Sequence, residues 1–203
     1  MKSQKTVLLT ALLALLSFGT AQAQAQFFPK NQPEQYIAVR TNLLHDAFLT
    51  PSLGVEWRID PQWSVKLDGS ISHWGDEHGK VQKIAIFNPE GRWHLPSVPG
   101  MYVGASVNFG LYNIYKGMVG GLFSGDTGYQ GNLWSVGPTV GYQFRLGAGF
   151  ALDFNLGLGY THLRHDTFEM IGGTRYYKEK DVTKNAFGLT QAGISLSWAI
   201  WGK

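Results

Sequence analysis

The chain has 203 residues and no Cys, which excludes a disulfide framework and a lipid anchor on cysteine. Its 17 Lys and Arg against 14 Asp and Glu give a net charge of +3. Without Lys2 and Lys5 the balance is only +1, too even for a nucleic-acid-binding surface. Charged residues make up 15% of the chain, against roughly 25% in soluble domains, while Gly (26 residues) and aromatics (14%) are abundant.

The first residues have the form of a secretory signal. Lys2 and Lys5 precede an apolar run from Val7 to Phe18, and Ala21-Gln22-Ala23 and Ala23-Gln24-Ala25 are small-x-small cleavage sites. The expected organisation is a cleaved signal at 1–25, a short lead at 26–35 and one domain at 36–203. No apolar run after the signal reaches about 18 residues, the length a membrane-crossing helix needs.

The rest alternates large apolar residues with small or polar ones in eight stretches, the period of strands with one apolar face. Strand one is expected at 36–44, with Ile37, Val39 and Leu43 on the apolar side, and strand two at 53–59, with Leu53, Val55 and Trp57. Strand three covers 63–73 (Trp63, Val65, Leu67 and Ile71 against Ser64, Lys66 and Asp68). Strand four covers 81–94, its start irregular because Ile84 and Ile86 fall in the polar phase. Strands five, six, seven and eight are expected at 101–112, 132–145, 150–160 and 186–201. The seventh is the clearest: Phe150, Leu152, Phe154, Leu156, Leu158 and Tyr160 alternate with Ala151, Asp153, Asn155, Gly157 and Gly159. Pro89 and Pro138 each remove a ladder donor and predict local defects.

Connections alternate in length. Those at 60–62, 95–100 and 146–149 are short, and the one at 45–52 is intermediate. Those at 74–80, 113–131 and 162–185 are long and are expected to be loops. Eight antiparallel strands with short turns on one rim and long loops on the other describe an all-β, up-and-down transmembrane β-barrel of the outer membrane, its termini periplasmic and its long loops extracellular. A soluble eight-stranded barrel would put Lys and Glu on its polar phase. Here that phase is mostly Gly, Ser, Asn and Ala. The bulky phase carries aromatics near strand ends (Trp57, Trp63, Trp93, Tyr102, Trp134, Phe144, Phe150, Tyr160 and Trp198), as membrane-interface girdles do.

The segments Thr41-Asn42-Leu43-Leu44-His45-Asp46-Ala47 and Thr50-Pro51-Ser52-Leu53-Gly54-Val55-Glu56 resemble a signature of an uncharacterised family of Bacteroidetes outer-membrane proteins, a domain of unknown function. The usual form has Tyr at the place of His45 and often Asn at that of Ser52. Asn88-Pro89-Glu90-Gly91-Arg92-Trp93 is similar to the family's Gln-Pro-Glu-Leu-Arg-Tyr strand, departing from it at Asn88 and Gly91, and Gly110-Leu111-Tyr112-Asn113 also fits. The resemblance implies the barrel fold and the compartment, and supplies no catalytic residue. The layout is more distantly similar to OmpA-type eight-stranded barrels.

Arg40, Glu56, Arg58, Lys66, Asp68, Glu90, Arg92, Arg145 and Asp153 share the small-residue phase and would point into the lumen. Buried charges must pair or be hydrated, so they are expected to form an interior salt-bridge network, the rival being a narrow ion path. Glu90 and Arg92 in particular should each have an opposite charge nearby. His45, His73, His78, His162 and His165 fall near the long-loop rim with Asp46, Asp76, Glu77 and Asp166. Convergence there would allow a metal or an acyl-transfer site of the lipid A-modifying kind, whereas ordinary polar loops explain the same residues. The Gly-rich run 117–126 lacks the Lys-Ser/Thr ending of a phosphate loop. It, and Arg175, Tyr176, Tyr177 and Lys178, are read as exposed loops. The expected function is therefore structural or interactive, with no cofactor. The partners expected are outer-membrane lipids, lipopolysaccharide or another envelope protein. A lipid A-modifying enzyme and a narrow channel are the rivals.

Overall fold

The computed structural model describes residues 35–75, 81–115, 127–172 and 174–202. The signal-like segment, His78, and the Gly-rich run 117–126 lie outside the described residues. Eight antiparallel strands close into a barrel in sequence order: β1 (Tyr36–Asn42), β2 (Ser52–Arg58), β3 (Trp63–Gly75), β4 (Val81–His94), β5 (Met101–Tyr115), β6 (Gly128–Gly147), β7 (Phe150–Ile171) and β8 (Thr174–Gly202). Pairing of β1 with β8, from Tyr36 opposite Gly202 to Asn42 opposite Ser195, closes the ring. No strand edge is left inside the band, as a bilayer requires.

The barrel is inside out relative to a soluble one. Its buried side chains are mostly polar or charged, including Arg40, Glu56, Lys66, Glu90, Arg92 and Asp153. Its exposed ones are large and apolar, such as Leu53, Ile71, Phe109, Leu156 and Phe187. An apolar exterior of this extent is unsuited to water and matched to hydrocarbon. Trp57, Trp63, Trp93, Phe144, Phe150 and Trp198 ring the short-turn end; Trp63 lies opposite Trp93, and Phe150 opposite Trp198. Trp134 and Tyr160 pack together at the other end, ring centroids 5.5 Å apart. On β6 and β7 the two rows are about ten residues apart; at ~3.3 Å per residue and a ~45° tilt this is roughly 23 Å, close to the ~25 Å apolar band of such barrels.

Strand boundaries differ from the sequence expectation in several places, two of them large. First, β1 stops at Asn42, and Leu43–Ala47 forms a single helical turn, α1. Asn42 caps it, its Oδ1 accepting from the Leu44 and His45 amides. Second, most of 162–185 is not loop. Strand β7 continues to Ile171 and β8 begins at Thr174, turning at Gly172 with φ +56°. The expected long loop is a two-stranded ribbon standing above Tyr160. β6 likewise starts at Gly128 rather than 132. Tyr102 also departs from expectation: it shares the phase of Gly104 and Ser106, and is fully buried in the lumen rather than part of a girdle.

The two prolines interrupt the ladder. Pairing of β4 with β5 is unbroken from Val81 to Phe87 and resumes at Glu90; that of β6 with β7 skips between Val136 and Thr139. Pro89 cannot donate to Val107, and the Asn88 side chain supplies the missing donor, Nδ2 to Val107 O at 3.2 Å. Beside Pro138, β6 and β7 approach so closely that a Cβ on Gly137 or Gly159 would strike the facing carbonyl of Leu158 or Val136. The irregular start of β4 involves no bulge: its register with β3 is continuous, so Ile84 and Ile86 point inward.

Candidate functional site

The lumen is filled in layers. In the short-turn half Arg92 is wholly buried, with Nη1 2.7 Å from Asp153 Oδ2 and 3.3 Å from Glu56 Oε2, and Nε 3.0 Å from Glu90 Oε1. Arg40 completes the ring, 2.9 Å from Glu56, 3.1 Å from Asp153 and 3.2 Å from Asp68. Lys66 lies between Glu90 (2.6 Å) and Asp68 (3.1 Å). Three cations thus face four carboxylates, and neutral donors supply further bonds. The Tyr102 hydroxyl donates to Asp153 at 2.7 Å, Thr139 to Glu90 at 2.9 Å, and Gln191 Nε2 to Glu90 at 3.0 Å. The Arg92 guanidinium also stacks over the Tyr102 ring at 4.2 Å. Alternation puts all these side chains inside; their partners sit on β1, β2, β3, β4, β5, β6, β7 and β8, so the contacts tie strands across the lumen.

Seven of the nine charged residues singled out in the sequence meet in this network. Arg58 and Arg145 do not. Arg58 lies at the short-turn rim, where it donates to the carbonyls of Asp60 (3.1 Å) and Pro61 (2.6 Å). Arg145 is only half-buried near the same rim. The charged set leaves out the neutral members Thr139, Gln191 and Tyr102, and below Tyr102 it leaves out His94, whose Nε2 is 2.8 Å from Ser64 Oγ and whose ring lies 5.4 Å from that of Tyr102. Parity along β4 and β5 was the available signal, since His94 follows Arg92 and Tyr102 precedes Gly104 at strand spacing.

The four described rim histidines do not converge. His45, on α1, turns inward with Nδ1 2.8 Å from Ser70 Oγ. Burial lowers its imidazole below the ordinary value, against the opposing pull of the Asp68 and Asp46 carboxylates. His73 points outward on β3. His162 lies against Trp134 and 2.8 Å from Asn185 Oδ1. His165 is buried in the ribbon beside the Tyr129 ring. Among the described residues no group of three or more His, Asp or Glu is placed to hold a metal ion. Nor does a carboxylate orient the His45–Ser70 pair. Asp46 is occupied: its Oδ2 accepts from Thr41 Oγ1 at 2.6 Å, and its Oδ1 from the Ser52 amide at 2.9 Å and the Ser52 hydroxyl at 3.0 Å.

Above the rim the ribbon has a small core of its own. Phe168 is fully buried, 5.9 Å from the Tyr115 ring and 6.2 Å from that of Tyr177. Arg175, expected at a solvated tip, instead covers Phe168 at 3.9 Å and donates to Gln130 Oε1 at 2.6 Å. The ribbon is thereby fastened over β5 and β6. Tyr176 and Lys178 remain exposed on it.

Residues 9–200 match the model of a family described as "Protein of unknown function (DUF3575)". The chain belongs to this family. In this DUF3575 chain the signature segments around the β1–β2 connection and on β4 serve structure. Thr41, Asn42, Asp46 and Ser52 knot the β1–β2 connection, while Asn88, Glu90 and Arg92 occupy the lumen. No curated protein matches the chain. Among solved structures, the solid-state NMR structure of outer membrane protein AlkL in DMPC lipid bilayers is similar, with 13% identity and a TM-score of 0.38 over 91% of this chain and 99% of that one.

Proposed function

We propose that the chain is an outer-membrane protein that works as a closed scaffold rather than a channel. Its ribbon rim faces outward, offered to lipopolysaccharide or to another envelope protein. The observation that carries this reading is the lumen at the level of the ion-pair network. Arg40, Glu56, Arg92, Tyr102 and Asp153 are each 2% exposed or less, and they bond to one another across the barrel. An eight-stranded barrel is just wide enough for side chains to fill, and these fill it. A paired network also has little tendency to open for an ion, because separating its members leaves charges buried and unpaired. The outward assignment of the ribbon rests on the division between short turns and long hairpins, which in barrels of this kind fall on the periplasmic and extracellular rims.

A short epitope inserted at Gly172 tests the placement. In intact cells it should bind antibody without permeabilisation. An epitope that becomes accessible only after the outer membrane is opened contradicts the orientation.

A further inference from the structure

Between the ion-pair network and the ribbon rim the lumen opens into a cavity of about 180 Å³. Its floor is formed by Lys66 and Asp68, its walls by Asn108, Asn155 and Thr190, and its lip by His45 and Ser70. Ile86 and Leu133, on either side of Gly110, make one apolar edge. We propose that this cavity binds a neutral, polyhydroxylated ring of monosaccharide size.

Size, charge and chemistry each narrow the ligand. The volume is below the ~300–1,000 Å³ of drug-sized sites and holds about six waters at ~30 Å³ each, which limits the occupant to one small ring. Charge selects against an ion. Lys66, the cation in the lining, is already held by Asp68 and Glu90, and Asp68 by Lys66 and Arg40. What the lining presents is carboxamide and hydroxyl, the groups that exchange hydrogen bonds with sugar hydroxyls. The carboxamides are pre-set by one another: Asn88 Nδ2 donates to Asn108 Oδ1 at 2.6 Å and to Gln191 Oε1 at 3.0 Å, Gln191 Nε2 to Asn155 Oδ1 at 3.3 Å, and Asn108 Nδ2 to Ser135 Oγ at 2.9 Å. Thr190 Oγ1 is buried with no hydrogen-bond partner, an unmet polar group at the cavity wall. It sits there because β8 bulges against β7, where Gly157 faces Gln191 and Leu158 faces Leu189, leaving Thr190 the unpaired residue. The inward-pointing Ile86 supplies what a purely hydrophilic hole would lack, an apolar surface for the C–H face of a sugar ring. The phase irregularity of β4 thus acquires a use.

Two sources present this chemistry, a free monosaccharide and the terminal unit of a glycan chain. The test uses purified barrel refolded in a sugar-free zwitterionic detergent, with saturation-transfer NMR against D-glucose, D-galactose, D-mannose and N-acetyl-D-glucosamine, and inorganic phosphate as competitor. At least one sugar should receive saturation, and phosphate should not displace it. Thr190→Val and Asn155→Leu, each checked for folding by its heat-modifiable electrophoretic mobility, should weaken binding about tenfold, the loss of one well-made hydrogen bond. Equal binding of the corresponding methyl glycoside identifies a chain-terminal unit, and loss of binding on methylation a free sugar. Saturation of none of the four sugars, displacement by phosphate, or unaltered binding by both variants in folded form overturns the proposal. Since conductance is not measured here, failure of the site is separable from failure of the scaffold reading.

Discussion

Arg92 shows how one residue governs the interior. It touches Glu56, Glu90 and Asp153 and stacks on Tyr102. Truncation leaves Glu56, Glu90, Asp153 and Asp68 to share only Arg40 and Lys66 in the buried lumen, so Arg92→Met should destabilise the barrel by about 3–5 kcal/mol, the usual cost of removing one partner of a buried ion pair. Urea unfolding in lipid vesicles measures it. Adding Asp153→Asn should return part of the loss, because it removes one of the stranded charges. His45 gives a second expectation at this scale. Burial holds its pKa below the ordinary 6.5, so protonation is harder in the fold than in the free chain. Stability is therefore unaffected at higher pH and declines as pH falls below 6.5. A titration of the ring carbons should show a midpoint below 6.5; a midpoint at or above that value contradicts the inward placement. The charged residues were legible from parity alone, because successive strand residues point to opposite faces. Parity does not say how far along the barrel a side chain reaches, which is why Arg58 and Arg145 were grouped with charges that lie higher. Tyr102 has the size of a girdle residue but the phase of a lumen residue, and the phase places it inside.

The elements divide into those whose pattern is imposed by lipid and those whose pattern is not. Within the apolar band each strand has one face toward hydrocarbon, so alternation is strict and strands are visible. Above Tyr160 the ribbon has no continuous apolar face, only the local core around Phe168, and the alternation disappears from 162–185 although the backbone remains paired. Register shifts at His165, Thr167 and Phe168 further bring Thr167 and Phe168, neighbours in sequence, both into buried positions. Phe168 then holds the ribbon down over β5 and β6. Phe168→Ala should loosen the ribbon so that trypsin cleaves after Arg175 and Lys178 at least several-fold faster, while leaving the heat-modifiable mobility of the barrel unchanged, since the wall below is closed without the ribbon. The β1–β2 connection is a second such unit. Asp46→Ala removes the acceptor of both the Ser52 amide and the Ser52 hydroxyl, and should increase hydrogen exchange at Ser52, whereas Asn42→Ala should cost about 1 kcal/mol through loss of the α1 cap.

At the scale of the whole molecule, the barrel spends its interior on holding itself shut and leaves two features free: a polar cavity above the network and a fastened ribbon above the bilayer. The stretches resembling a family signature belong to the first task, and for that reason they say little about what meets the second. Single-channel recording in planar bilayers tests the closed lumen most directly. Wild-type protein should give no discrete conductance steps across moderate voltages in molar salt, whereas Arg92→Ala, which removes the central side chain of the network, should give small ones. Reproducible steps from folded wild-type protein, unchanged by Arg92→Ala, would contradict the account.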